Sequence, residues 1–183
     1  MGNCGNIQTI KPSNNEKKEI ISNNNKLNIN TNDDQLDLKN KLKDKSDFSY
    51  FCSLNFPNLE NLNLTQNNLS DISDLKKLNA PKLKILDLSY NNIQNLEEFK
   101  DLKFQLKELY LTKNGNEIKN LEIFLEAPCF QNLQKLSLDN IDYERNKEII
   151  GEIKKKIKDF ECGENNYIIK KQFIDKVETL SLN

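Results

Sequence analysis

Histidine is absent from all 183 residues. This excludes Ser-His and Cys-His nucleophile pairs, histidine general bases and every histidine-containing zinc or haem site. Glycine is scarce, with only Gly2, Gly5, Gly115, Gly151 and Gly163. No spacing among them makes a phosphate-binding loop or a dinucleotide fingerprint. The four cysteines, Cys4, Cys52, Cys129 and Cys162, lie far apart. They show neither the CxxC spacing of a metal site nor the density of a secreted disulfide scaffold, which fits reduced thiols in a cytosol. Long apolar runs are missing as well, so no segment reads as a bilayer span and the N-terminus lacks the apolar core of a secretory signal.

Charge of one sign is also lacking. The 27 basic and 28 acidic residues nearly cancel, so nothing draws the chain as a whole to nucleic acid or to an anionic surface. With 36% apolar and 30% charged residues, the chain has room for one domain and a tail. Residues 1–34 read as the tail: ten asparagines fall within the first 32 positions. So polar a segment buries too little surface to offset ordering entropy of roughly 1–2 kcal/mol per residue. A disordered tether is expected there, and a folded domain over residues 35–183.

What the domain has is a period. Leu59, Leu62, Leu64, Asn67 and Leu69 spell LxxLxLxxNxL, and Leu83, Leu86, Leu88, Asn91 and Ile93 spell it again 24 residues on. A third copy holds Leu106, Leu109, Leu111 and Asn114, with its apolar follower displaced to Ile118. In a fourth, Leu133, Leu136 and Leu138 are followed by Ile141 where asparagine is expected. A fifth reads Ile157, Phe160, Cys162, Asn165 and Tyr167, and a sixth opens at Val177, Leu180 and Leu182 just before the last residue. That leaves a final repeat without its return segment, through truncation or because a partner or a second copy covers the end. An upstream relic, Leu36, Leu38, Asn40 and Leu42, is one residue short and reads as a first turn or cap.

In each unit the alternating leucines describe a short strand that buries one face. Such a strand is unstable alone, so copies must stack in parallel and pool their leucines into one core. After Asn67 and Asn91 the apolar residues recur every third position, as Leu69, Ile72, Leu75, Leu78 and Ile93, Leu96, Phe99, Leu102, which suits 3₁₀ or short helical return segments. Pro57, Pro81 and Pro128 precede new units, where a missing N–H is harmless. Ile149, Ile150, Ile153 and Ile157 predict an amphipathic helix over about 145–156.

On these motifs the chain resembles the leucine-rich repeat superfamily over about residues 36–183, with five to six repeats. The triplet continuation looks like the subclass typified by a nuclear regulator of protein phosphatase 1, also found in RNA-export and dynein-associated repeat proteins. The resemblance implies an α/β solenoid: a right-handed coil with short parallel strands on the concave face and 3₁₀ or short helices on the convex face. It also implies that Asn67, Asn91, Asn114 and Asn165 point inward and bond to neighbouring turns, a structural role. Ile141 cannot do so, and Asn140 or water is expected to substitute.

Residues between the leucines then form rows across the concave face. One row reads Asn61, Ile85, Glu108, Lys135, Asp159, Thr179; a second Asn63, Asp87, Tyr110, Ser137, Glu161, Ser181; a third Thr65, Ser89, Thr112, Asp139, Gly163. Members of the superfamily bind partners there, and Tyr110, flanked by Tyr90, Ile85, Asp87 and Glu108, is the preferred contact cluster, with Asn61, Asn63 and Lys135 around it. The competing reading is that these side chains merely cover the sheet. Lys154, Lys155, Lys156 and Lys158 read as the solvated face of a helix, and the row carboxylates lack the dry cleft that acid–base catalysis needs. No enzyme activity, cofactor, metal, nucleic acid or small-molecule substrate is implied.

The opening Met-Gly-Asn-Cys-Gly-Asn resembles the start of N-myristoylated proteins, with Gly2 as the acylated residue and Cys4 placed for palmitoylation. Asn6 stands where serine or threonine is usual. A single myristoyl chain binds membranes only marginally, with an association constant on the order of 10⁴ M⁻¹, so a second chain matters. The alternative is an unmodified tail. The expectation is a protein-interaction module in the cytoplasm, tethered to the inner face of a membrane; the other reading is a soluble regulatory subunit of a protein phosphatase.

Overall fold

The computed structural model describes residues 17–22, 25–115 and 117–163. Six short strands form one parallel sheet in sequence order: β3 (Gln35–Asp37), β4 (Asn61–Asn63), β5 (Ile85–Asp87), β6 (Glu108–Tyr110), β7 (Lys135–Leu138) and β8 (Asp159–Cys162). Leu36, Leu62, Leu86, Leu109, Leu136 and Phe160 stand opposite one another along the sheet. Leu62, Leu86, Leu109 and Leu136 are all within 1% of full burial. Each removes enough apolar surface from water to contribute about 2 kcal/mol. Strands three residues long hold together only because each has such neighbours.

The return segments fill the other side of this core. The two period-three stretches contain 3₁₀ turns, Ser73–Lys77 and Glu97–Asp101, which bury Leu75 and Phe99. The third return contains α2 (Ile123–Glu126) and the 3₁₀ turn Pro128–Phe130, opened by its proline. Phe130 stacks at 5.0 Å on Phe99 and at 5.2 Å on Phe124. The fourth is α3 (Lys147–Lys156), which buries Ile150 and Ile153, with three lysines in its last turn where cations complement the helix dipole.

Two elements depart from the sequence reading. Within the stretch read as a tail, β1 (Lys17–Ser22) and β2 (Asn25–Asn30) pair antiparallel, and Ile29 belongs to the same buried core as Leu38 and Leu42. The alternation Leu27-Asn28-Ile29-Asn30 is a strand pattern that a count of asparagines hides. The second is α1 (Lys45–Cys52), which runs next to β1 and buries Phe48, Phe51 and Cys52. Asp44 caps it by accepting from Ser46 N at 2.8 Å and Asp47 N at 3.0 Å, and Asp47 accepts from Lys43 N at 2.7 Å.

Buried asparagines lace the turns together. Asn91 Oδ1 accepts from Asn67 N and Leu69 N, each at 3.0 Å, while its Nδ2 donates to the carbonyls of Leu64, Leu88 and Ser89. Asn67 does the same one turn earlier, accepting from Lys41 N and Leu42 N and donating to Leu38 and Leu64. Asn114 accepts from Ile93 N and donates to Leu88 and Leu111. Asn40 sits one position before the ladder, with φ of 53°, matching Gln66 at 60°, Tyr90 at 58° and Lys113 at 57°. It is therefore the turn residue, and Lys41 occupies the ladder position.

The fourth turn is built differently. Asn40 N, Gln66 N and Tyr90 N each donate to the backbone carbonyl of the residue two past the end of the next strand: Thr65, Ser89 and Thr112. Lys113 N instead donates to both carboxylate oxygens of buried Asp139, at 2.8 Å. Asn140 contributes a bond from Nδ2 to the Asn114 carbonyl at 3.3 Å. The expected substitution by Asn140 is thus one half of the device, and Asp139 is the other.

Candidate functional site: the outer face of the sheet

Strand alternation turns the residues between the leucines away from the core, and parallel pairing aligns them into rows. Asn61, Ile85, Glu108, Lys135 and Asp159 stand opposite one another in that order, with Gln35 at the start. Asn63, Asp87, Tyr110, Ser137 and Glu161 form the second row, after Asp37. The register thus joins residues that lie a hundred positions apart in the chain. Thr179 and Ser181, like Gly2, Cys4, Asn165 and the sixth copy, lie outside the described residues.

Asn61, Asn63, Ile85, Asp87, Glu108, Tyr110 and Lys135 are all half-buried, and Tyr90 is 54% exposed. Three of the five positions of the third row are closed. Thr65, Ser89 and Asp139 are each more than nine-tenths buried, so they belong to the turn rather than to an open face. Thr112 Oγ1 donates to Ser89 Oγ at 3.2 Å, whereas Thr65 Oγ1 is buried without a hydrogen-bond partner.

Tyr110 is the centre of a polar network. Its hydroxyl donates to Glu108 Oε2 at 2.6 Å, and Lys135 Nζ lies 5.6 Å from its ring centroid, in cation–π range. Lys135 also reaches Asp159 at 3.5 Å and Glu161 at 3.7 Å, and Ser137 Oγ donates to Glu161 at 2.6 Å. Burial, followed by the hydrogen bond to Glu108 and the charges of Glu108, Asp87 and Glu161, raises the Tyr110 phenol well above its ordinary pKa. Ser137 and then Lys135 hold the Glu161 carboxyl below the usual range.

Asp37, Asn63 and Asp87 repeat one local device. Each uses a side-chain oxygen to accept the backbone N–H two residues on, from Lys39 at 3.0 Å, Thr65 at 2.9 Å and Ser89 at 2.9 Å. Asparagine and aspartate interchange here, because the turn needs an acceptor and is indifferent to charge. Charge at these positions is therefore free to serve something else.

Burial pushes the Cys129 thiol up to about 12, and its Sγ donates to the Phe99 carbonyl. Lys154 lies over Tyr143, Lys155 pairs with Glu152 at 2.6 Å, and Lys156 donates to the carbonyls of Phe124 and Leu125. Among the described residues no group of three or more Cys, Asp or Glu side chains is arranged to hold a metal ion, and no helix is long and apolar enough to cross a membrane.

No curated protein and no solved structure matches the chain. One family model does, described as Leucine rich repeat, over residues 57–116. That stretch spans β4, β5 and β6 with their asparagine turns, and the six-stranded sheet with its short helices fits a repeat solenoid built on the same unit. Residues 57–116 are leucine-rich repeats.

Proposed function

We propose that this protein is a non-catalytic module that binds another protein through the outer face of β4–β7. Leucine-rich repeat domains commonly mediate protein–protein interaction and are generally non-catalytic, which supports the reading. The observation that carries it is the row arrangement: Asn61, Ile85, Glu108 and Lys135 beside Asn63, Asp87 and Tyr110, half-buried side chains presented on a rigid strand frame. An aromatic with a polar tip among charges is the composition of a binding hot spot, whose truncation costs about 2 kcal/mol. Affinity capture with the full chain tests this: Tyr110→Ala weakens recovery of the partner by about 30-fold, and Glu148→Ala on α3 leaves it unchanged. Equal recovery with both variants removes the face from the reading.

The repeat spacing that resembles phosphatase regulators makes a protein phosphatase catalytic subunit one partner to probe in that capture. The Met-Gly-Asn-Cys opening supports a second component, acylation at Gly2 and Cys4 that tethers the module to the cytoplasmic face of a membrane. Metabolic labelling with an alkyne myristate checks it. Label and membrane fractionation that both disappear in Gly2→Ala support the tether, and a soluble, unlabelled wild type ends it.

A further inference from the structure

We propose that the part of the face spanning β3–β6 docks a basic, extended segment of the partner protein. This rests on the interaction reading above and specifies the chemistry of what is bound. The face is acidic although the chain is nearly neutral. Its two open rows hold Asp37, Asp87, Glu108, Asp159 and Glu161 against a single lysine, Lys135, while the whole chain carries 27 basic and 28 acidic residues. Lys135 is already shared between Asp159 and Glu161. Asp37, Asp87 and Glu108 make no ion pair among the described residues, and their partners there are neutral N–H and O–H donors.

Asn63, between Asp37 and Asp87, supports its turn equally well without a charge. The carboxylates at 37 and 87 are thus not required by the fold. Asp37 and Asp87 stand two strands apart, about 10 Å at the usual strand spacing, close to the roughly 9 Å over which an extended polyproline II chain returns every third side chain to one face. A segment of that conformation with arginine or lysine at every third position matches them, and Ile85, on the strand of Asp87 and opposite Glu108, offers an apolar seat for a residue alongside.

One further feature points at the same surface. Tyr90, bordering the face, is 54% exposed in the left-handed backbone region, where two of the equivalent turns carry Asn40 and Asn140. Asparagine accepts that conformation readily and a tyrosine does not, so an aromatic kept there in solvent suits stacking on a guanidinium.

The test measures fluorescence anisotropy of a labelled peptide of three Arg-Ala-Ala units against the full chain, with a Glu-Ala-Ala peptide as control. The arginine peptide binds, the glutamate peptide does not, and raising salt from about 50 mM to about 300 mM weakens binding severalfold. Asp87→Asn with Glu108→Gln retains both acceptors, so the thermal midpoint holds while affinity falls about tenfold. Glu148→Gln with Glu152→Gln on α3 removes the same charge elsewhere and changes nothing. Equal affinity for all three proteins, or no binding by the wild type, overturns the proposal. So does self-association that the Asp87/Glu108 pair abolishes, which makes the occupant a second copy. If the peptide fails while partner capture still responds to Tyr110→Ala, only the basic assignment falls; capture indifferent to Tyr110→Ala takes the face reading with it.

Discussion

The second and fourth turns do the same job with different chemistry. At the second, Asn91 is a hub with five hydrogen bonds, and the neighbouring backbone supplies the rest. At the fourth, Ile141 holds the asparagine position, and the role is split between the Asp139 carboxylate, which takes the Lys113 N–H, and the Asn140 amide. The repeat is three residues longer there than between the first two copies, and a side chain reaches where the backbone carbonyl does in the other turns. The fold demands a buried acceptor and donor at each turn and does not fix which residue provides them.

Substitutions can break this comparison, and they rank by how many buried groups each strands. Leu86→Ala, in the middle of the leucine row, is expected to cost about 3–4 kcal/mol in urea unfolding, the range for a core cavity. It serves as the yardstick for the polar changes. Asn91→Ala is expected to cost about 3 kcal/mol, because it orphans the buried N–H groups of Asn67 and Leu69. Asp139→Ala leaves a single N–H, that of Lys113, and is expected to cost about 2 kcal/mol. If Asp139→Ala proves as mild as a surface change, the two turns are not equivalents. Asn140→Ala removes one long bond and is expected to cost about 0.5 kcal/mol.

A last, smaller effect sharpens the contrast between turns and face. The raised Tyr110 pKa means that the folded protein holds the phenolic proton more tightly than the unfolded chain, whose value is 10.0. Its contribution to stability is complete below pH 10 and is lost as pH rises through the folded-state value. The difference in phenolate absorbance between wild type and Tyr110→Phe should appear above pH 10, and Glu108→Gln should move it down. An ordinary titration of Tyr110 contradicts the network.

The leucine spacing alone was enough to align Leu62, Leu86, Leu109 and Leu136 and with them the two open rows, because parallel strands of fixed period leave one register. The isoleucine pattern placed α3 within two residues. Other features were hidden for identifiable reasons. Asparagine in β2 occupies the outward phase of an alternation and masks it, and α1 is signalled by a cap, Asp44 with Asp47, rather than by a long apolar stripe. The burial of Thr65, Ser89 and Asp139 depends on how the chain bends at the turn, which periodicity does not encode. Asp139 was legible as a row member, and its exchange of roles with a backbone carbonyl follows only from the geometry of the longer repeat.

The first two copies match beyond their leucines. Asn79 bonds Asn55, Lys82 bonds Asn58, Lys84 pairs with Glu60 and Asn92 bonds Asn68, every partner 24 positions away. Residues 59–82 therefore act as an interchangeable tile whose upper and lower borders are alike. A gene that duplicated this stretch in frame would encode a molecule longer by one rung, about 4.8 Å, with the same junctions on either side, and the outer face would widen by one column. Growth and shrinkage by whole tiles changes the width of that face without changing its borders.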